Sequence, residues 1–326
     1  MPVVIVLSYL ALACLVVFLS IKLSQYVDML DKITKLSGAL IGGVFLAAVT
    51  SLPELFTSIS AVLFLGQSEL VLGNVLGSDI FNAAVLGLIL LIFFRSFAKE
   101  KTNKSLIWTG LFLVGLYGIG IYATLAKHQL LFWGVNALSI LIMVVYMISI
   151  KFIAGETDKD KDTTVGLSKQ QIIIRFVIAS VLLVSASIGI TYLSDSLADI
   201  LGLGKTLAGA VLLGVATSLP EVVSTANLIK MGNHEAGISN ILGSNTFNFV
   251  ILSLADFMNY KAPIYNNNLE AKYLLFGGLA SVVSFSLLLV IKSWKNKQNF
   301  STKLVSMILC IVPIVTYALF LIMPNL

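Results

Sequence analysis

Thr50-Ser51-Leu52-Pro53-Glu54 and Thr217-Ser218-Leu219-Pro220-Glu221 are the same five residues, and each lies inside a long apolar segment. An ionisable group at the centre of a membrane helix costs about 2.5–3.5 kcal/mol on insertion scales, so a carboxylate kept there has work to do. If each stretch is helical, Thr50 and Glu54 share a face, and Thr57 and Ser58 follow one turn on; Thr217, Glu221, Ser224 and Thr225 repeat the pattern. Pro53 and Pro220 have no N–H to give to the carbonyls of Val49 and Ala216. Carbonyls freed in this way at membrane depth are tolerated where they line a cavity. The unit therefore offers carboxylate, hydroxyl and carbonyl oxygen, with neither sulfur nor imidazole. Such donors suit a hard cation; calcium takes about 6–8 oxygens at roughly 2.3–2.6 Å.

A second motif accompanies each of the first. Gly73-Asn-Val-Leu-Gly-Ser-Asp-Ile-Phe-Asn82 aligns on Ser239-Asn-Ile-Leu-Gly-Ser-Asn-Thr-Phe-Asn248, just as residues 42–54 align without gaps on 209–221. It adds Ser78 and Asn82 in one half and Ser244 and Asn248 in the other, with Gly77 and Gly243 expected to let backbones approach closely. A lone proline in a membrane helix is often only a kink. Two copies with matching partners point instead to one site built twice. Its two carboxylates match the charge of one divalent ion, and the same oxygens suit several sodium ions in its place.

The elements that must position these residues are membrane helices. The chain has 326 residues, of which 58% are hydrophobic and 11% charged, and its mean hydropathy is +0.99. This excludes a soluble domain and predicts an all-α polytopic membrane protein. Ten spans are expected: Val3–Ile21, Gly38–Leu65, Leu70–Phe94, Leu106–Leu125, Leu130–Ile153, Ile172–Leu193, Leu207–Ile229, Gly237–Met258, Tyr273–Ile291 and Leu304–Met323. Those carrying Thr-Ser-Leu-Pro-Glu are expected to be interrupted helices. Five spans per half make the second half enter from the opposite side, an inverted-topology 5+5 repeat. The expected divisions are 1–153, with a first motif region over 38–94; a cytoplasmic linker over 154–170; and 171–326, with a second motif region over 205–258. With the N-terminus outside, the inner loops hold seventeen of the 21 basic residues and the outer loops only Lys127, Lys205, Lys261 and Lys272. That bias predicts a multi-pass protein of the cell membrane with both termini extracellular. The basic residues sit between spans, so the formal charge of +5 does not suggest nucleic acid. Cys14 and Cys310, both in apolar segments, suggest neither a disulfide framework nor a thiolate metal site.

On the two Thr-Ser-Leu-Pro-Glu stretches and the two Gly-Ser-x-x-Phe-Asn partners, the chain resembles the calcium/cation antiporter superfamily, and within it the prokaryotic sodium/calcium exchanger-like members. The resemblance implies a secondary antiporter that uses sodium entry to expel calcium by alternating access, with no cofactor. It implies ion ligands at Glu54, Glu221, Thr50, Thr217, Ser51, Ser218, Ser78, Ser244, Asn82 and Asn248, and backbone carbonyls at Ala47, Thr50, Gly214 and Thr217. The chain departs from the family pattern in four respects. Val49 and Ala216 stand where glycine is usual, Ser239 replaces another glycine, both final positions are asparagine, and Asp79 follows the first Gly-Ser. Asp79 lies one residue off the Ser78/Asn82 face and reads as a helix-packing or vestibule charge rather than a ligand. Potassium-dependent relatives carry an acid at the position of Asn248, so transport here is expected to run without potassium.

Other polar residues carry weaker signals. His128 and His234 read as solvated loop residues. Trp108, Trp133 and Trp294 read as interface anchors, and Gly110, Gly115, Gly118 and Gly120 as helix-packing positions. Two competing functions remain at this level: a proton/calcium exchanger, whose discriminating Gly-Asn-Ala-x-Glu type of motif is not found here, and a passive cation channel, which an inverted repeat disfavours.

Overall fold

A computed structural model of the chain describes residues 2–34, 36–65, 68–100, 102–126, 131–132, 135–154, 166–201, 214–259, 264–265, 269–294 and 300–322. His128, Trp133, most of the linker and the start of the seventh expected span lie outside the described residues. Among the described residues the fold is helical apart from a two-residue antiparallel ladder, Leu131–Phe132 with Val135–Asn136. The main helices are α1 (Pro2–Ile33), α2 (Gly38–Leu63), α3 (Ser68–Ile92), α4 (Lys104–Leu125), α5 (Ala137–Ile153), α6 (Lys169–Leu201), α7 (Gly214–Lys230), α8 (His234–Met258), α9 (Leu269–Trp294) and α10 (Phe300–Ile322). Eight of the described helices are long and apolar enough to cross a membrane; α5 is shorter, at 17 residues, and 17 residues of α7 are described.

Polarity sorts the helices radially. The most apolar window of α1 has a mean hydropathy of 2.8 with 17% of it buried, and that of α10 has 2.6 with 17%. In α8 the hydropathy falls to 1.3 and burial rises to 78%. This is the order a lipid solvent imposes: apolar helices outside, polar ones where protein can satisfy them. α8 accordingly runs through the middle, against α2, α3, α4, α5 and α7, while α1 lies along α6 at one side. One apolar core joins α3, α4, α8 and α9 around Leu76, Leu113, Tyr117, Phe249 and Phe285. A second joins α1 and α6 around Leu23, Val27, Leu183 and Ile190.

Three elements differ from expectation for identifiable reasons. α1 continues twelve residues past Ile21 because its polar end is paired: Asn227 Nδ2 donates to Ser24 Oγ at 2.7 Å, and Asp28 bridges Lys32 at 2.7 Å. α5 starts late because Asn136 caps it, accepting from the Leu138 N–H at 3.0 Å. The first Thr-Ser-Leu-Pro-Glu span is interrupted as expected: π-helix over Ile41–Leu46, a break at Ser51 (φ −88°, ψ 3°), α-helix over Leu52–Ser60 and π-helix again over Ala61–Leu65. The second is not interrupted among its described residues; α7 carries Pro220 inside a continuous helix. α7 turns into α8 through Gly232, whose φ of +87° is left-handed backbone that glycine adopts freely.

Candidate cation site

The break at Ser51 brings the turn before Glu54 against α7. There the two Thr-Ser-Leu-Pro-Glu copies face each other and exchange hydrogen bonds. Ser51 Oγ donates to Glu221 Oε1 at 3.2 Å, and Ser218 Oγ donates to Glu54 Oε1 at 3.3 Å. Thr217 adds a contact to Glu54, and Thr50 adds one to Glu221. Each half thus supplies hydroxyls to the carboxylate of the other. Glu54 and Glu221 are both 1% exposed, and no lysine, arginine or histidine among the described residues forms a salt bridge to either.

The Gly-Ser motifs of α3 and α8 close the site. α8 crosses α2 at glycine: a Cβ on Gly243 would lie 2.0 Å from Gly43 O. Gly77 has nothing within 4 Å of its Cβ position, so only Gly243 of the expected pair serves close approach. Thr50 Oγ1 and Ser244 Oγ are 3.4 Å apart across that crossing. Ser78, Ser244, Asn82 and Asn248 are all buried. Thr50, Ser51, Glu54, Thr217, Ser218, Glu221 and Ser244 are thus joined across α2, α7 and α8, while Asn82 of α3 and Asn248 of α8 join through Asn245 and Asp79.

Several buried oxygens on these four helices lack partners among the described residues, beside others such as Asn240 Oδ1 and Ser58 Oγ. Glu54 Oε2, Glu221 Oε2, Ser78 Oγ, Asn82 Oδ1 and Asn248 Oδ1 are buried without a hydrogen bond. A buried polar atom left unsatisfied costs about 1–3 kcal/mol, more if charged, so each of these needs a partner such as an ordered water or an ion. Every one is an acceptor or, for Ser78, a hydroxyl, and two belong to carboxyl groups. That donor set fits a hard cation. Ala47 O fits less well, since it already accepts from Ser51 N at 3.0 Å and Thr50 Oγ1 at 3.2 Å. Gly214, the other expected carbonyl, is the first described residue of α7.

Asp79, read from the sequence as a packing or vestibule charge, is joined around the site by residues the sequence did not mark. Asp79 is fully buried, not in a vestibule, and accepts from Tyr117 Oη at 2.8 Å and Asn248 Nδ2 at 2.7 Å. Asn245, its counterpart in the second copy, bonds both Asp79 O and Asn82. Asn240 donates to Thr225 Oγ1 at 3.0 Å. The alignment of the two copies puts Asp79 opposite Asn245, and that pairing was the available signal; nothing in the sequence marks Tyr117. His234 also departs from expectation: it opens α8, is buried, and lies against Phe97. Among the expected packing glycines, Gly110 meets Ser286 and Gly120 meets Leu275 and Phe249, whereas Gly115 and Gly118 meet nothing within 4 Å. Trp108 packs on Phe112 and Phe152, and Trp294 is 84% exposed.

A helical bundle sorted for lipid, with an oxygen-only seam at its centre, has the form of a multi-pass membrane carrier. Residues 4–150 and 172–324 match the model of the sodium/calcium exchanger protein family, and the chain belongs to that family. It is 24% identical over 226 residues to the inner membrane protein YrbG of Escherichia coli K12, spanning 65% of this chain and 67% of that protein. To the putative antiporter CaxA of Alkalimonas amylolytica it is 27% identical over 226 residues, spanning 66% and 68%. Its fold is similar to a solved structure of the sodium-calcium exchanger NCX_Mj, with a TM-score of 0.75, 16% identity and 99% of each chain covered. The family and these structural neighbours are exchangers rather than enzymes.

Proposed function

We propose that the protein exchanges sodium for calcium by alternating access, with Glu54 and Glu221 as the paired anions that hold the ion. The supporting observation is the reciprocal arrangement in which each glutamate has one oxygen held by the opposite half and the other left bare. Thr50, Ser51, Ser78 and Asn82 from one half and Thr217, Ser218, Ser244 and Asn248 from the other are the neutral ligands of the proposal, with the carbonyls of Ala47 and Gly214. Two carboxylates neutralise one calcium, whereas sodium ions bring the same charge in two separate parcels. The proposed architecture is ten spans in a 5+5 inverted repeat, divided at 1–153, 154–170 and 171–326, in the plasma membrane with both termini outside. The two segments of the family match, residues 4–150 and 172–324, support the division into two parts on either side of the linker.

The test is calcium uptake into proteoliposomes under imposed sodium, proton and potassium gradients, one at a time. An outward sodium gradient should drive uptake, and replacing potassium by choline should leave it unchanged, because Asn248 offers an amide where a further acid would be needed. Uptake driven by protons alone would make the protein a proton/calcium exchanger. Flux that ignores every counter-ion gradient would make it a passive channel.

A further inference from the structure

A relay of amides joins the two halves beside the cation site. Asn248 Nδ2 donates to Asp79 Oδ1 at 2.7 Å, and Tyr117 Oη donates to Asp79 Oδ2 at 2.8 Å. The main-chain oxygen of Asp79 accepts from Asn245 Nδ2 at 2.9 Å, and Asn245 Oδ1 accepts from Asn82 Nδ2 at 3.3 Å. All five side chains are buried. A carboxamide can turn over and exchange its donor for its acceptor with almost no change of shape. If Asn82 or Asn248 turned over, it would aim an NH2 group at the cation.

We infer that Asp79 is the positioning residue that orients Asn248 through its carboxylate, while its main-chain oxygen, which any residue at 79 would supply, orders Asn82 through Asn245. The argument is one of donors and acceptors. Asp79 Oδ1 accepts, so Asn248 must turn its nitrogen toward it and its oxygen away. A main-chain carbonyl can only accept, so Asn245 must offer its nitrogen there and its oxygen to Asn82. The nitrogen of Asn82 is thereby engaged and its oxygen released. Reversing Asn248 or Asn245 would set two acceptors face to face; reversing Asn82 would do the same against Asn245 Oδ1. Asn82 Oδ1 and Asn248 Oδ1 are the two atoms left without partners, as this ordering requires. The anchor is itself fixed. Tyr117 holds the second Asp79 oxygen, packs edge-on to Phe249 with centroids 4.9 Å apart, and lies over Gly278, where a Cβ would come 2.3 Å from Tyr117 Cε1. An asparagine in place of Asp79 could turn together with Asn248; a carboxylate has oxygen at both positions and cannot reverse the pair.

The inference rests on Asn82 and Asn248 being ion ligands, and the experiment separates the two ideas. Half-saturating calcium and maximal rate are measured on the full chain in proteoliposomes for Asp79→Leu, Asn248→Asp and the double variant, with Asp79→Asn alongside. Asp79→Leu should raise half-saturating calcium about tenfold with a smaller change in maximal rate, and Asp79→Asn, which still has an oxygen to offer, should rise less. A carboxylate at position 248 presents oxygen whichever way it turns. In the Asn248→Asp background, Asp79→Leu should therefore leave half-saturating calcium unchanged or lower it. An equal rise in both backgrounds, or no rise in either, overturns the positioning role. Should Asp79→Leu not fold, Tyr117→Phe keeps the ring and removes one bond to Asp79. It should give a rise of about threefold with Asn248 present and none in the Asn248→Asp background, and equal behaviour in the two overturns the role as before. Asn248→Ala tests the reading beneath: unchanged calcium half-saturation there removes Asn248 from the ligands, whereas loss there with no effect of Asp79→Leu discards the positioning role alone.

Discussion

Neutralising either glutamate should end calcium transport, because glutamine keeps an oxygen and nearly the same shape but gives up the charge. Calcium must leave water to enter a buried seam, and uncompensated charge there is very unfavourable. Glu54→Gln and Glu221→Gln should each reduce sodium-driven calcium flux to background at equal amounts of folded protein. Near-normal flux in both would remove the paired-carboxylate site. The supporting hydroxyls should matter less. Ser51 and Ser218 each donate one bond to the opposite glutamate, at 3.2 and 3.3 Å, so Ser51→Ala and Ser218→Ala should raise half-saturating calcium by roughly threefold to tenfold and leave transport measurable. Similar penalties from the two would reflect the reciprocity of the bonds.

At the scale of elements, the site depends on how closely α2 and α8 cross. A Cβ on Gly243 would meet Gly43 backbone at 2.0 Å, and one on Gly42 would meet Ala236 O at 2.3 Å. Backbone cannot turn aside as a side chain can, so Gly243→Ala must push the helices apart. It should cost about 1–3 kcal/mol of stability, read as a lower midpoint of thermal unfolding in detergent. Gly77→Ala, facing open space, should change that midpoint little, and equal effects of the two would contradict the crossing. These two glycines look alike in sequence, each just before the serine of its copy; only the packing of the second against α2 distinguishes them. The same limit explains what else was legible. The two glutamates and their hydroxyl partners could be found because the chain states them twice. The interruption of α2 followed from Pro53, whereas Pro220 sits inside a continuous α7, because a proline removes one bond and neighbouring helices decide whether the helix breaks. Hydropathy ended the first span at Ile21, since it does not register the bonds to Asn227 and Asn233 that bury the polar end of α1. Of the two roles read for Asp79, helix packing and a vestibule charge, the structure gives the first, and its partners Tyr117 and Asn248, from α4 and α8, could not be named from positions within α3 alone.

For the whole molecule the first question is which way it sits. The loops after the first, third, fifth and ninth expected spans hold most of the basic charge and should be cytoplasmic. With Cys14 and Cys310 replaced, Lys99→Cys and Lys151→Cys, both at exposed positions, should resist an impermeant thiol reagent in intact cells and react once the cells are opened. Labelling from outside would invert the orientation. A second whole-molecule property follows from the bare glutamate oxygens at the seam. On the paired-carboxylate reading, a calcium-loaded carrier is electrically neutral there, while an empty one must close around two carboxylates with no cation between them. Return without cargo is the expensive step, so the machine should idle rather than slip. Calcium-loaded vesicles facing a medium without sodium or calcium should empty far more slowly than the same vesicles trading calcium for calcium; equally fast emptying would show that the bare carrier crosses freely. A cell with such a protein in its membrane keeps its ion gradients when there is nothing to export.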